Sequence, residues 1–556
     1  MKSSRSNKKW LLASVGLLFA LLILKITFLL TAKPKITVDY VAEYNRITLP
    51  QNYDPNDNAA EYYQKAFDSL VEMPNELRNP YINWPTDFNS TEQAILKDWL
   101  ASNSQTLKYF KIASNKPFYW LERYTDENNN MLSIMLPNLN LLKRLSEALL
   151  WNAKLAASKG QPQTACENII DCYKAGCQKC RTPSFLVDQL VGMSRKRAAI
   201  DTALLILDKT HIDSSALKLF QDALQAEFDK DTYVLDFEAE KMMLYDILQI
   251  TFVDNGRGTG RLSCSVIKYF QTMCGSKENF RLMCKLFLKC LIGPTRNDMV
   301  IRIEETFASF ELLKTETPWQ LHTHDPIYFK RLDTSNCDDC GDFILDIFLP
   351  APFQPFNSYH QVRTNGKALL AIIAIHRFKA EKGILPATLD ELVSTGYLQS
   401  VPMDPYSDGP LVYKPDKDNF KLYSLGEDFI DDGGSNESKA TEESRLRYGG
   451  PYGYSVDIVY WPYKDLKKLY NAHIIELKKI REKTERNLLI LYRENTEPNE
   501  IRQLKEEWWK DIELEFTKYP KEYPDINKIR CFKEDWWGII EKDAKHSLEN
   551  ADQNRP

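Results

Sequence analysis

The sequence carries no surplus of basic charge, with 72 Lys and Arg against 77 Asp and Glu and a net charge of −5 over 556 residues. A chain so balanced builds no global positive field for a phosphate backbone, which excludes nucleic acid as a partner held by bulk charge. It also lacks a G-x-S-x-G elbow, an H-E-x-x-H pair, a P-loop and a glycine-rich dinucleotide turn. Those absences remove particular chemistries, while a catalytic triad assembled by the fold stays open. The 11 cysteines are odd in number and irregular in spacing, so they form no disulfide framework. What is present is the composition of a folded protein, 43% hydrophobic and 27% charged, long enough for about three or four domains.

One long apolar run stands out. From Trp10 to Ala32 the chain is apolar apart from Lys25 and a few hydroxyl residues. That length crosses about 30 Å of hydrocarbon as a helix, whereas a signal-peptide core has about 7 to 15 residues. The run predicts a transmembrane anchor at 10–32, with a cleaved signal peptide ending in "LTA" as the alternative. Lys2, Arg5, Lys8 and Lys9 precede it, so the positive-inside rule keeps a 1–9 tail in the cytoplasm and places the bulk outside the inner membrane.

Residues 33–320 open with a short β-branched stretch and then read as an α-helical domain of antiparallel hairpins. Leu142, Leu145, Leu149, Ala153 and Ala156 make one apolar stripe, "SKGQPQ" turns the chain, and Ala165, Ile169, Cys172, Tyr173, Gly176 and Cys180 make the next. Thiols in such a stripe are small buried hydrophobes, and Cys264, Cys274, Cys284 and Cys290 sit in similar company. Residues 321–359 read as an irregular linker, with His322 and His324 as a surface pair or, on a strand, as metal ligands, Cys337 and Cys340 in an acidic loop as a local disulfide or free thiols, and three prolines that stop any helix. Residues 464–556 read as a helical appendage in which the Trp508/Trp509 and Trp536/Trp537 pairs are core anchors or a binding face.

Between these lies a small α+β module, 360–435, followed by a linker at 436–463. A helix from Lys367 to Lys382 ends at Gly383, Thr388 and Glu391 have capping-box spacing, and "LVYK" and "FKLYSL" alternate as an antiparallel hairpin. His376, near the apolar face, reads as a core or boundary histidine. The hairpin runs into "YSLGEDFIDDGG", where Glu427, Asp428, Asp431 and Asp432 fall within six residues and Gly433 and Gly434 close the stretch. Such a stretch is either a solvated Asx-type turn or an oxygen cage for a cation.

Gly383, Pro386, Leu389 and Leu392, then Val401, Pro402, Asp404 and Pro405, then Tyr423, Ser424, Leu425, Gly426 and Asp428 follow a recognisable spacing. Over about 70 of the 556 residues the module resembles the globular end of the type II secretion major pseudopilin. That resemblance implies a calcium ion held by aspartates and backbone carbonyls, with Asp428, Asp431 and Asp432 as its side-chain ligands. The chain departs from the family in offering Ser435, Asn436 and Glu437 after the glycines, and in lacking a leader glycine and a glutamate around its apolar run. Its whole layout is similar instead to membrane-anchored helical proteins of unassigned role from Planctomycetes-like bacteria.

The expected protein is therefore mainly α: a transmembrane anchor, a helical hairpin array, a pseudopilin-like α+β module and a C-terminal helical region. Its expected role is a non-enzymatic extracytoplasmic scaffold that binds other proteins and calcium. The alternatives are a hydrolase with its site in the helical domain and an accessory component related to type II secretion.

Overall fold

The computed structural model describes residues 34–78, 82–125, 130–134, 139–181, 184–254, 256–263, 293–324, 352–434, 457–463, 466–493 and 498–518, with Trp537, Ile540 and Glu541. The expected 1–9 tail, the anchor at 10–32, Cys264, Cys274, Cys284, Cys290, Cys337, Cys340, Ser435 to Glu437 and Trp536 lie outside the described residues. Among the described residues no helix is long and apolar enough to cross a membrane.

Among the described residues the first helices are α1 (Tyr40–Thr48), α2 (Ala60–Asp68), α3 (Ser90–Ser102) and α4 (Ser104–Ser114). Helix starts follow local chemistry: Asp39 accepts from the Ala42 amide to open α1, and Asn89 and Glu92 close a reciprocal capping box on α3. The central hairpins are α5 (Leu139–Ser158), α6 (Pro162–Arg181), α7 (Leu186–Lys209) and α8 (Ser214–Lys230). Gly160, at φ +71°, turns α5 into α6, and every residue of both expected stripes is buried. α6 and α7 cross at two glycines, where a Cβ on Gly192 would stand 2.5 Å from Cys180 Sγ and 2.7 Å from the Gly176 carbonyl. Glycine is required there by proximity.

Next come α9 (Glu238–Thr251), α10 (Arg296–Phe310), the short α11 (Leu312–Thr315) and α12 (Pro318–His324). His322 and His324 therefore lie on a helix and not on the expected strand. The 30-residue α13 (Phe353–Lys382) follows. Its prolines do not stop it, because Pro352 and Pro355 fall at the N-cap and in the first turn, where no intrahelical partner needs their missing N–H. The boundary expected between residues 359 and 360 thus falls inside α13. Leu369 to Ile375 are buried without a break, since one side of α13 packs on α7 and α8 and the other on the sheet.

After Gly383 ends α13 at φ +76°, α14 (Leu389–Ser394) leads into β1 (Val412–Asp416) and β2 (Asn419–Ser424). Thr388 accepts from the Glu391 amide, but the Glu391 carboxylate accepts from Ala387 N–H, so the capping box is shifted by one residue. β3 (Ile458–Trp461) pairs antiparallel with β2, in sheet order β1-β2-β3. This strand falls in the stretch expected to be linker.

A single hydrophobic cluster runs from Ala59 through Cys172 and Ile373 to Trp461, so the hairpin array and the α+β module share one core. A second cluster joins α9, α10, α12 and the start of α13, with Phe429 packed against it. The last helices, α15 (Leu466–Arg493) and α16 (Pro498–Lys518), enclose a separate core of Leu488, Trp508, Trp509, Ile512, Trp537 and Ile540. Trp508, Trp509 and Trp537 serve that core.

Candidate metal centre

The aspartate loop begins where β2 runs out. Asp404, buried in the turn before β1, accepts from Ser424 Oγ (2.7 Å) and from the Leu425 (2.9 Å) and Tyr406 (3.0 Å) amides. One side chain thereby ties that turn to the end of β2. Gly426 takes φ +76°, and Phe429, a phenylalanine, takes φ +61°. A non-glycine residue in that region stores about 1–3 kcal/mol and persists only where its surroundings hold it. The holder is visible: the Phe429 ring stacks on His322 at 4.3 Å between centroids, with Trp319 at 5.8 Å and Tyr406 at 6.2 Å. Gly433 and Gly434, both left-handed, then turn the loop back towards the sheet.

The carboxylates of this loop divide into two kinds. Glu427 accepts from Gln361 on α13 (3.1 Å). Asp431 faces solvent, and its Oδ1 accepts from Tyr423 Oη and from the Gly433 amide, both at 2.8 Å. It is the solvated Asx-type turn of the two readings. Asp428 and Asp432 are the opposite, only 6% and 3% exposed. The Ile430 amide donates to Asp428 Oδ1 (3.2 Å), but Asp428 Oδ2 and both oxygens of Asp432 have no hydrogen-bond partner.

A third buried carboxylate joins them from a distance in sequence. Asp457, just before β3, is 2% exposed. Its Oδ2 accepts from the Gly434 amide (2.7 Å), and its Oδ1 is unpartnered. Burial, reinforced by the charges of Asp432 and Asp457, pushes the Asp428 carboxyl up to about 7. Burial likewise lifts Asp457 to about 6, with Asp431 and Asp432 adding to the effect. Buried polar atoms are almost always satisfied, and burial disfavours the charged forms of Asp428 and Asp457, so this corner is a poor resting place for their bare carboxylates. Four unpaired oxygens on Asp428, Asp432 and Asp457 are the donor set a hard cation takes. Among the described residues no group of three or more Asp, Glu, His or Cys side chains is placed to hold a metal ion, and Asp428, Asp432 and Asp457 are no exception.

Of the aspartates that sequence reasoning named, the fold buries Asp428 and Asp432 and leaves Asp431 exposed. It adds the buried Asp457, which sequence reasoning did not name. The available signal was the run "DIVYW", a carboxylate heading a short β-branched and aromatic stretch that ends at a proline.

Several other titratable groups of the interior are used in packing, although Asp171, Asp231, Asp236 and Glu240 each also bury one unpartnered oxygen. Asp188 receives Arg123 (2.7 Å) and Lys179 (3.0 Å), and Lys196 meets Asp231 at 2.6 Å. Glu240, lifted by burial to about 7, accepts from the Leu186 amide at the start of α7, where a carboxylate suits the helix N-terminus. His376 packs edge-on to Phe420 and Trp461 and His360 edge-on to Phe356, and burial lowers them to about 4 and about 3. Both are neutral packing histidines. No protein-family model matches the chain, and neither a curated protein nor a solved structure matches it.

Proposed function

We propose that the chain is a membrane-anchored extracytoplasmic scaffold whose α+β module is locked by calcium held between Asp428, Asp432 and Asp457. The observation that carries the metal reading is the set of four unpartnered oxygens on three buried aspartates at one end of the sheet. A divalent cation would turn the repulsion among them into a clamp joining the β2 end to the β3 start. Calcium suits the set better than magnesium, because it accepts six to eight oxygens at about 2.3–2.6 Å in irregular geometry and a glycine-rich loop supplies irregular geometry. Backbone carbonyls and water would complete the shell.

The scaffold reading draws on the hairpin array, α5 to α8, whose buried charges Asp188 and Lys196 are taken up by Arg123, Lys179 and Asp231. Anchoring rests on the apolar run at 10–32 and its basic flank. Protease added to spheroplasts should digest the chain down to that anchor. Protection of the bulk would overturn the topology. Calcium titration of the full-length chain in detergent should show one site, which Asp428→Asn with Asp432→Asn removes, and no heat of binding in the wild type would overturn the metal reading.

A further inference from the structure

The aspartate loop touches more than the sheet, and another of its contacts is with a helix distant in sequence. Phe429 lies directly after Asp428, and its ring rests on His322 and Trp319 of α12, a segment roughly one hundred positions earlier in the chain. α12 is fastened again close by: the Trp319 amide donates to the Pro405 carbonyl (3.0 Å), next to Asp404, which holds the end of β2. One fastening of α12 thus reaches the loop itself and another the turn at Asp404 that holds the loop's start. We propose that cation binding at Asp428, Asp432 and Asp457 is coupled to the docking of α12, with Phe429 as the mechanical link. This rests on the calcium reading and adds a regulatory consequence to it.

The coupling runs through shared backbone. Asp428 Oδ1 takes the Ile430 amide, so the carboxylate and the two residues after it form one small turn with Phe429 at its centre. Phe429 stays left-handed only while something holds its ring, and α12 provides the stack. Drawing Asp428 towards Asp432 and Asp457 fixes the same turn from the other side. A cation that fixes the turn in the shape that presents Phe429 to α12 favours the docked helix, and a docked helix favours the cation by the same factor, because coupling between two binding events is reciprocal. Leu321 of α12 is buried in the second core, so release of α12 would also loosen the cluster formed with α9, α10 and the start of α13. The loop thus joins the calcium-bound state of the module to the packing of the helical domain.

Hydrogen exchange and calorimetry on the full-length chain in detergent test this, with calcium chloride as the probe and chelator as the reference. Calcium should slow exchange in peptides covering 312–324 about fivefold or more, the lower end of usual allosteric coupling. His322→Ala and Trp319→Leu, which lie outside the aspartate loop, should each weaken calcium binding by a similar factor while circular dichroism stays unchanged. Calcium uptake with no change in the 312–324 peptides and with wild-type affinity in both variants would overturn the coupling and leave the metal reading standing. Absence of calcium uptake by the wild type would overturn both, and the exchange comparison needs no variant to fold.

Discussion

Raising the pH in the presence of chelator should loosen the loop from Gly426 to Gly434, and calcium should reverse the direction of that dependence. The Asp428 carboxyl is lifted from 3.8 to about 7 and that of Asp457 from 3.8 to about 6. At about 1.4 kcal/mol per pH unit, these gaps correspond to roughly 4 and 3 kcal/mol. The two groups repel each other, so part of the same interaction stands in both figures and the joint effect is about 4–5 kcal/mol at most. The sign follows from proton counting. Between about pH 4 and pH 7 the folded loop holds protons that the unfolded chain has released, so its stability falls as pH rises through that window and levels off above it. With calcium bound, the ionised carboxylates are the ligands, and stability instead falls as protons compete below about pH 6. A chain of several cores has no single two-state melting point, so the readout is local: exchange of peptides covering 419–434 at pH 5 and pH 8, corrected for intrinsic rates, in chelator and in calcium. Replacing Asp428, Asp432 and Asp457 together by Asn should flatten both profiles. A wild-type loop that is equally stable at both pH values in chelator, or more stable at pH 8, would refute the claim that burial, reinforced by neighbouring carboxylates, holds Asp428 and Asp457 protonated in the fold.

Two further outcomes test the helical domain. Cys172 and Cys180 are buried, with thiols pushed up to about 11, so a thiol-reactive dye should label them only after denaturation, and ready labelling of the native chain would contradict the packing of α6 on α7. Gly192→Ala should lower the denaturant midpoint for unfolding of the hairpin array by the equivalent of about 1–3 kcal/mol, since the new methyl would meet Cys180 Sγ and the Gly176 carbonyl well inside contact distance. An unchanged midpoint would mean that the crossing is looser than its geometry.

Much of the helical part was legible because its signals are local. The stripes of α5 and α6 repeat at helical spacing, the turn between them carries Gly160, and all their residues are buried where the stripe places them. The hairpin of β1 and β2 was equally plain from alternation around "PDKDN". What failed to show was everything set by distance along the chain. α13 starts seven residues before the expected module because prolines in a first turn read like a stop signal, although the missing N–H matters only further along the helix. Its burial on both sides is a property of its neighbours, α7 and α8 on one face and the sheet on the other, which no local period encodes. The aspartate loop failed in the same way. Asp428, Asp431 and Asp432 look alike in sequence, and only the fold turns Asp431 outward to Tyr423 while bringing Asp457 in across 23 residues from Gly434.

If burial and not proximity in sequence defines the proposed calcium site, calcium calorimetry on full-length Asp457→Asn beside Asp431→Asn separates the two. Asp457→Asn should abolish binding or weaken it at least tenfold, while Asp431→Asn should bind within about twofold of the wild type. The opposite pattern, with binding lost in Asp431→Asn and kept in Asp457→Asn, would contradict burial as the determinant.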